Sequence, residues 1–135
     1  MLKLHQTTIM LPILFGIASL LTSAASAVEN NPLKCILNTD KQVIECDVVA
    51  DSVNVTDVVL NRGNCQSPAQ ILSAKLKVLK KAYHNDANKV SNELSQYVFS
   101  GKHRFGDHFV IVCEGCNVLE YTITANGKRW TWKTN

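Results

Sequence analysis

One stretch near the C-terminus decides the fold class: it runs from Glu120 to Lys133 and reads EYTITANGKRWTWK. Its Asn126-Gly127 pair is typical of a type I′ turn, because both central residues of that turn need a positive φ. Strands paired about this turn carry apolar residues on one face and polar residues on the other, as in a half-buried antiparallel sheet. The facing pairs are Tyr121–Trp132 and Ile123–Trp130 on the apolar face, and Thr122–Thr131 and the opposed charges Glu120–Lys133 on the polar face.

A second hairpin is predicted upstream, around two cysteines. If Cys35 lies opposite Cys46, then Leu37 lies opposite Ile44 and the loop is Asp40-Lys41. Both pairs share one face, and directly opposed strand residues can form a disulfide. The alternative is that the two cysteines are unrelated small core residues. The agreement of register with turn chemistry favours the bridge.

Two further strands are predicted between these hairpins. The Val-rich segment from Ser52 to Asn61 changes the parity of its apolar positions, which predicts a β-bulge near Asp57. It ends in a turn signature, Asn61-Arg62-Gly63-Asn64. The segment from Phe109 to Cys113 is apolar on both faces, which predicts a central strand buried on both sides.

Residues 67–99 are ambiguous from the sequence. Ser67-Pro68 resembles a helix N-cap followed by proline at the first helical position, and apolar residues follow near helical spacing. Lys75 to Val78, however, alternates as a strand would. After a turn at Asn85 to Asn88, a second helical stripe is predicted from Val90 through Val98. We interpret residues 67–99 as an inserted, helical excursion from a mainly β domain.

The N-terminal 27 residues read as a cleavable signal peptide. Lys3 precedes an apolar run from Ile9 to Leu21, and a small-residue tail ends in Ala25-Ser26-Ala27. The run is shorter than the about 20 residues that span a bilayer. Cleavage is therefore predicted between Ala27 and Val28, leaving residues 28–135 as one exported domain, periplasmic or secreted, with no membrane segment.

Charge and cysteine content narrow the function classes. Without Lys3 the chain keeps 13 Lys and Arg against 11 Asp and Glu, a net charge of +2. This small charge argues against nucleic acid as a partner, because such binding needs many phosphate contacts. All five cysteines follow the predicted cleavage point, where an oxidising compartment favours disulfides. Since five is odd, at least one cysteine is not in an intramolecular pair.

Three groups of residues have side chains suited to chemistry or to charge-based binding. Cys113-Glu114-Gly115-Cys116 is a Cys-x-x-Cys, but it follows a predicted strand rather than opening a helix, so activation of a thiol is not expected. His103 and His108 with Cys113 and Cys116 form a possible Zn²⁺ set, which an oxidising compartment disfavours. We therefore expect no metal and no cofactor.

The third group is a basic cluster. It could contact an acidic partner or an anionic glycan, although lysines on a helix are more often simply solvated. Its members are Lys75, Lys77, Lys80, Lys81 and Lys89. No nucleophile elbow, phosphate-binding glycine loop or convincing carboxylate pair is present in the sequence, so no enzymatic activity is expected.

Three blocks together resemble one known family. They are Val58–Cys65 (VVLNRGNC), Arg104–Asp107 (RFGD), and Gly115–Glu120 (GCNVLE) continuing into the C-terminal hairpin. The chain resembles the IrmA family of small exported bacterial proteins, named after an interleukin receptor mimic. The blocks cover roughly a third of residues 28–135, and the Asn-Arg-Gly-Asn-Cys block is the more specific.

The resemblance carries several implications. It implies a small fibronectin-III or immunoglobulin-like β-sandwich, a strand-exchanged homodimer, and a disulfide between Cys65 and Cys116. Together with a Cys35–Cys46 bridge, this leaves Cys113 as a free thiol that should be packed and poorly reactive. The long insert after Cys65 and the cysteines at 35, 46 and 113 depart from the family pattern.

The expected function is that of a non-enzymatic exported binding protein. Through the resemblance, its partner would be a host cytokine or receptor and its role immunomodulatory, as a virulence factor. A first alternative is a periplasmic inhibitor or chaperone-like module. A second is a thiol-redox protein that uses Cys113 and Cys116. The two alternatives differ from the first reading in location and in thiol chemistry respectively.

Overall fold

The structure is a computed structural model that describes residues 29–134. Its seven strands form two antiparallel sheets, one in the order β1-β2-β5 and the other in the order β4-β3-β6-β7. The strands are β1 (Leu33–Asn38), β2 (Val43–Val48), β3 (Ser52–Leu60), β4 (Gly101–Arg104), β5 (His108–Val112), β6 (Glu120–Ala125) and β7 (Lys128–Lys133). The helices are α1 (Pro68–Ala82) and α2 (Ala87–Ser95). The predicted mainly β fold with a helical insert is thus observed, in a sandwich-like arrangement.

The C-terminal hairpin has the predicted register. Tyr121 pairs with Trp132 and Ile123 pairs with Trp130. Asn126 and Gly127 have φ values of 53° and 73°, as the turn requires. The two tryptophans are only half-buried, however, because β7 is an edge strand.

The polar face of the same hairpin differs from the expected charge pairing. Glu120 lies opposite Lys133 in the register, as predicted. Its carboxylate instead forms an ion pair with the guanidinium of Arg62, at 3.3 Å. Arg62, two residues after the end of β3, is therefore linked to the start of β6.

Two further strand predictions hold, except that the loop of the first hairpin comprises residues 39–42 and not only the predicted Asp40-Lys41. Cys35 pairs with Cys46 and Leu37 with Ile44 across β1 and β2. The register of β3 against β6 shifts between Val55 and Asp57, which is the predicted bulge. Because of the bulge, apolar residues before and after the change of parity face the core. They are Val53, Val55, Val58 and Leu60.

The core lies between the two sheets. The first sheet contributes Ile44 and Ile111, and the second contributes Leu60 and Ile123, all nearly inaccessible to solvent. Phe109 of β5 packs among them and stacks on the ring of His103 from β4, with centroids 4.5 Å apart. This stack joins the two sheets along the edge where β4 and β5 lie.

Residues 67–99 form two helices, so the strand-like alternation of Lys75 to Val78 is not expressed. Ser67 accepts a hydrogen bond from the Gln70 backbone, and the Gln70 side chain accepts one from the Ser67 backbone, which completes a capping box. The predicted second stripe is shorter than expected. Val90 is buried within α2, but α2 ends at Ser95 and Val98 lies beyond it, exposed.

The prediction of a central strand at residues 109–113 is wrong. β5 pairs only with β2 and is an edge strand of the three-stranded sheet. Its second apolar face is nevertheless buried: Val112 and the facing Val43 are shielded from solvent, and α1 is the helix that contacts β5. The helical insert therefore packs on the outer face of β5, so that both faces of this edge strand are buried.

The strand connections gather at two ends of the sandwich. We call one of them the cysteine end; it comprises the loops 39–42, 61–67 and 113–119. The backbone N–H of Cys113 donates to the carbonyl of Gln42 at 3.0 Å, which joins two of these loops. The opposite end comprises residues 49–51, 105–107 and 126–127.

Two sequence predictions concern segments that need separate mention. The predicted signal peptide, 1–27, and the cleavage point between Ala27 and Val28 lie outside the described residues. Among residues 29–134, no helix has the length and apolar character needed to span a membrane.

Candidate functional site

The cysteine end is organised around one asparagine at the end of β3. Asn61 and Arg62 both have left-handed backbone conformations, with φ values of 47° and 56°. Asparagine tolerates this region better than most residues, because its short polar side chain can bond to nearby backbone. The chain thereby turns sharply out of β3 and directs residues 61–65 across the end of the sandwich.

The Asn61 side chain uses both its donor and its acceptor atoms. Its Nδ2 donates to the carbonyl of Asn117 at 2.8 Å and contacts the sulfurs of Cys65 and Cys116 at 3.3 and 3.4 Å. Its Oδ1 accepts from the backbone N–H groups of Leu119 and Glu120, at 2.7 and 3.1 Å. One amide thus holds the loop before β6 against the disulfide.

Loss of this amide should be costly. We expect Asn61→Ala to lower the free energy of unfolding by about 2–3 kcal/mol, because backbone donors lose their acceptor and alanine resists a positive φ. Urea unfolding of the purified variant measures the change. As a control, Asn61→Gly restores backbone freedom but not the amide, so it should recover no more than about 1 kcal/mol. A glycine variant as stable as the wild type would contradict the role given to the side chain.

Two disulfides are present, and they join the pairs expected from the hairpin register and from the resemblance. Cys35–Cys46 links β1 to β2. Cys65–Cys116 links the start of the helical insert to the loop before β6, across 51 residues of sequence. Two disulfides favour an oxidising compartment outside the cytoplasm. The second bridge anchors the loops of the cysteine end to each other.

An exposed apolar side chain stands on this anchored loop. Leu119 is 62% exposed, although the next apolar residues along β6 are buried. It lies between two grooves, one of about 480 Å³ beside Gln42 and Cys116 and one of about 310 Å³ beside Arg62 and Glu120. Leu119 is thus a large exposed apolar side chain beside the charged pair Arg62 and Glu120, on a loop held by a disulfide and hydrogen bonds, and is a candidate contact for a protein partner.

Cys113 is among the residues that line the larger of these grooves. Its side chain is buried, and it is the free cysteine among the described residues. Burial, and secondarily the charge of Glu114, raises the pKa of the Cys113 thiol to about 11. Since the thiolate is the reactive form, this environment opposes nucleophilic or redox chemistry. Its Cys-x-x-Cys partner, Cys116, is in the disulfide with Cys65.

The thiol should therefore be protected in the folded protein. A pKa near 11, against an ordinary 9.0, makes the thiolate fraction at neutral pH about a hundredfold smaller. We expect iodoacetamide to modify native Cys113 at least that much more slowly than the denatured chain, as measured by mass spectrometry under non-reducing conditions. Rapid labelling of the native thiol, or a Cys113–Cys116 disulfide in peptide maps, would revive the redox alternative.

His103 and His108 do not form a metal-binding group with Cys113 and Cys116. His103 Nε2 lies 2.7 Å from the carbonyl oxygen of Phe99, and His108 Nδ1 lies 2.8 Å from Asp47 Oδ1. Within residues 29–134, no group of three or more His, Cys, Asp or Glu side chains is arranged to hold a metal ion. The spacing in sequence therefore does not translate into a cluster.

Comparison with protein-family models, with curated proteins and with solved structures finds no match to this chain.

Two features of this end are not apparent from the sequence. The turn signature at residues 61–64 predicts a reversal, but not that Asn61 bonds to a loop more than 50 residues away. The sequence also does not show that Leu119 is exposed, since the neighbouring apolar residue, Val118, is buried. The one available signal was the asparagine itself, which favours left-handed positions with local side-chain hydrogen bonds.

Proposed function

We propose that this chain is a non-enzymatic exported binding protein with a fibronectin-type-III-like fold, which contacts a host cytokine or cytokine receptor through its cysteine end. The observation that carries the proposal is Leu119, 62% exposed on a loop held by the Cys65–Cys116 bridge and by Asn61. A loop that is held in place before binding loses less conformational entropy when a partner docks, so its exposed side chains contribute more to affinity.

The strand order supports the fibronectin-type-III part of the proposal. A three-stranded sheet of the first, second and fifth strands facing a four-stranded sheet in the order 4-3-6-7 is the arrangement of that domain type. Cytokine-receptor ectodomains are built from such modules, which is the link that the family resemblance implies. Loops at the ends of a sandwich are also where these domains bind their partners.

The test is a binding panel with matched variants. Residues 28–135 would be immobilised and screened by surface plasmon resonance against host cytokines and cytokine-receptor ectodomains. Leu119→Asp should weaken binding to the recognised partner by at least about tenfold, because it removes an interface anchor. Phe105→Asp is the control, since Phe105 is 69% exposed but lies at the opposite end.

Two outcomes would contradict the proposal. Either no member of the panel binds, or the Leu119 and Phe105 variants lose affinity equally. Location provides an independent check. A host-directed protein should accumulate in the culture medium with Val28 as its first residue, whereas a periplasmic inhibitor or chaperone-like module should remain in the periplasmic fraction.

The resemblance also leads us to propose a strand-exchanged homodimer. Each sheet ends in edge strands, β1 and β5 in one and β4 and β7 in the other, and unpaired edges are the segments through which strands are exchanged. Sedimentation equilibrium of the purified protein tests this point. A monomer at all concentrations would exclude it without affecting the binding proposal.

A further inference from the structure

One face of helix α1 carries exposed lysines, two of which, Lys80 and Lys81, lie in its last turn, where cations complement the helix dipole. Lys77, Lys80 and Lys81 are exposed and follow the i, i+3, i+4 spacing that places side chains together on one helix face. At 100° per residue this face points roughly away from Leu72 and Leu79, the side through which α1 packs. These three lysines are therefore available to a partner outside the domain.

No negative charge on the helix balances them. The sequence of α1, PAQILSAKLKVLKKA, contains no acidic residue. Lys77 and Lys81 are like charges at i, i+4, a spacing that destabilises a helix by a few tenths of a kcal/mol. Among the described residues Lys75 pairs with Glu114, at 2.7 Å, while Lys77, Lys80 and Lys81 form no ion pair there.

The turn between the helices extends the same basic surface. Lys89 lies in the first turn of α2, where a cation opposes the helix dipole instead of complementing it. His84, in the connecting turn, is exposed and has a left-handed φ of 49°. Residues 67–99 contain five lysines and two acidic residues, Asp86 and Glu93, which gives this segment a net charge of +3. This basic tip, Lys77, Lys80, Lys81, His84 and Lys89, concentrates charge in a chain whose overall charge is small.

We propose that the basic tip binds a sulfated polysaccharide. The exposed side chains of the tip are lysine ammonium groups and the His84 imidazole, and Gln70 and Ser73 beside them are polar. Val78 is exposed at the margin of this face, but no aromatic anchor lies on it. Protein interfaces are depleted in lysine and depend on large apolar or aromatic anchors, so a protein partner fits this face poorly. A linear polyanion needs only a row of cations, since release of its counterions supplies the affinity. An exported protein meets such chains on cell surfaces.

The experiment measures the affinity for a heparin octasaccharide over a series of salt concentrations, by isothermal titration calorimetry. Lys80→Ala/Lys81→Ala should lower the slope of log affinity against log salt by about 2, because each lysine that contacts the polyanion contributes about one. Alanine keeps the helix propensity, so circular dichroism should be unchanged. The control, Lys34→Ala/Lys102→Ala, removes the same charge from two exposed strand positions and should keep the wild-type slope.

Three results would overturn the proposal. The first is absence of heparin binding at physiological salt, about 0.15 M. The second is an equal loss of slope in the helix and strand variants, which would indicate that only net charge matters. The third is equal affinity for poly-glutamate, which would point to an acidic protein surface. Weaker binding of hyaluronan, which carries carboxylates but no sulfates, supports recognition of the sulfate groups.

Discussion

Replacing Cys65 with serine is expected to prevent the accumulation of folded protein. The Cys65–Cys116 bridge closes a loop of 51 residues, and losing a native disulfide of a small exported domain costs about 2–5 kcal/mol. Small domains have only about 5–15 kcal/mol of total stability, so this loss is a large fraction of it. The same substitution removes a sulfur contact of Asn61, which orders the loop before β6. Yield from the exported fraction and the urea midpoint of any recovered protein measure the effect.

Two controls separate the bridge from the cysteines as such. Cys113→Ala removes the buried free thiol and should cost no more than about 1–1.5 kcal/mol, because it deletes one small buried group. Cys65→Ser/Cys116→Ser excludes a substitute Cys113–Cys116 disulfide and should behave as the single variant does. Normal yield and stability of Cys65→Ser would show that the helical insert and Asn61 hold the cysteine end without the bridge.

Phe109→Ala is expected to lower the free energy of unfolding by about 3–5 kcal/mol, the usual cost of removing a buried phenylalanine. Phe109 is 4% exposed and lies opposite Cys46 on the inner face of the three-stranded sheet. Its ring also stacks on His103 of the other sheet. The substitution therefore leaves a cavity where the two sheets meet along one edge. Urea or thermal unfolding of residues 28–135 measures the loss.

His108→Ala provides the comparison on the same strand. His108 is exposed on the outer face, and its contact with Asp47 is a surface pair worth less than about 1 kcal/mol. The two variants should therefore differ by at least about 2 kcal/mol. Similar losses from both would mean that Phe109 does not lie in the core and that the register of β5 against β2 is wrong.

The hairpins are the parts of the fold that sequence alone predicted well. In EYTITANGKRWTWK the turn residues define which positions face each other, and the period of two then assigns each side chain to a face. The bulge near Asp57 follows from the same reasoning, since a change of parity must be absorbed by one extra residue if both halves are to face the core. The helix start at Ser67-Pro68 was likewise readable from its capping residues.

The predictions that failed concern burial by distant segments. A strand that is apolar on both faces, such as β5, fits a central position or an edge covered by another element, and only the packing of α1 distinguishes them. The stripe from Val90 to Val98 was read one turn too far because helix ends depend on local capping and tertiary contacts together. Lys75 to Val78 is helical although its apolar and charged residues alternate as in a strand, because α1 has a capping box and a buried apolar side.

The candidate site divides in the same way. From the sequence came the cysteine positions, the turn at Asn61 and, through the family resemblance, the pairing of Cys65 with Cys116. The structure alone brings Asn61 to the backbone of Leu119 and leaves Leu119 exposed. The hydrogen bond has no local signal, because Asn61 and Leu119 are more than 50 residues apart in the chain.

By itself, the sequence of this protein determined every strand of residues 29–134 except β4, its two hairpin registers and the start of its insert, because backbone sterics, turn geometry and side-chain period act between residues that are close in the chain. Only the tertiary structure decided which sheet each strand joins, that α1 covers the outer face of β5, and that Leu119 and the lysines of α1 face solvent. Those outcomes depend on the burial of apolar surface between segments far apart in sequence, a non-directional force with no local pattern to mark its partners.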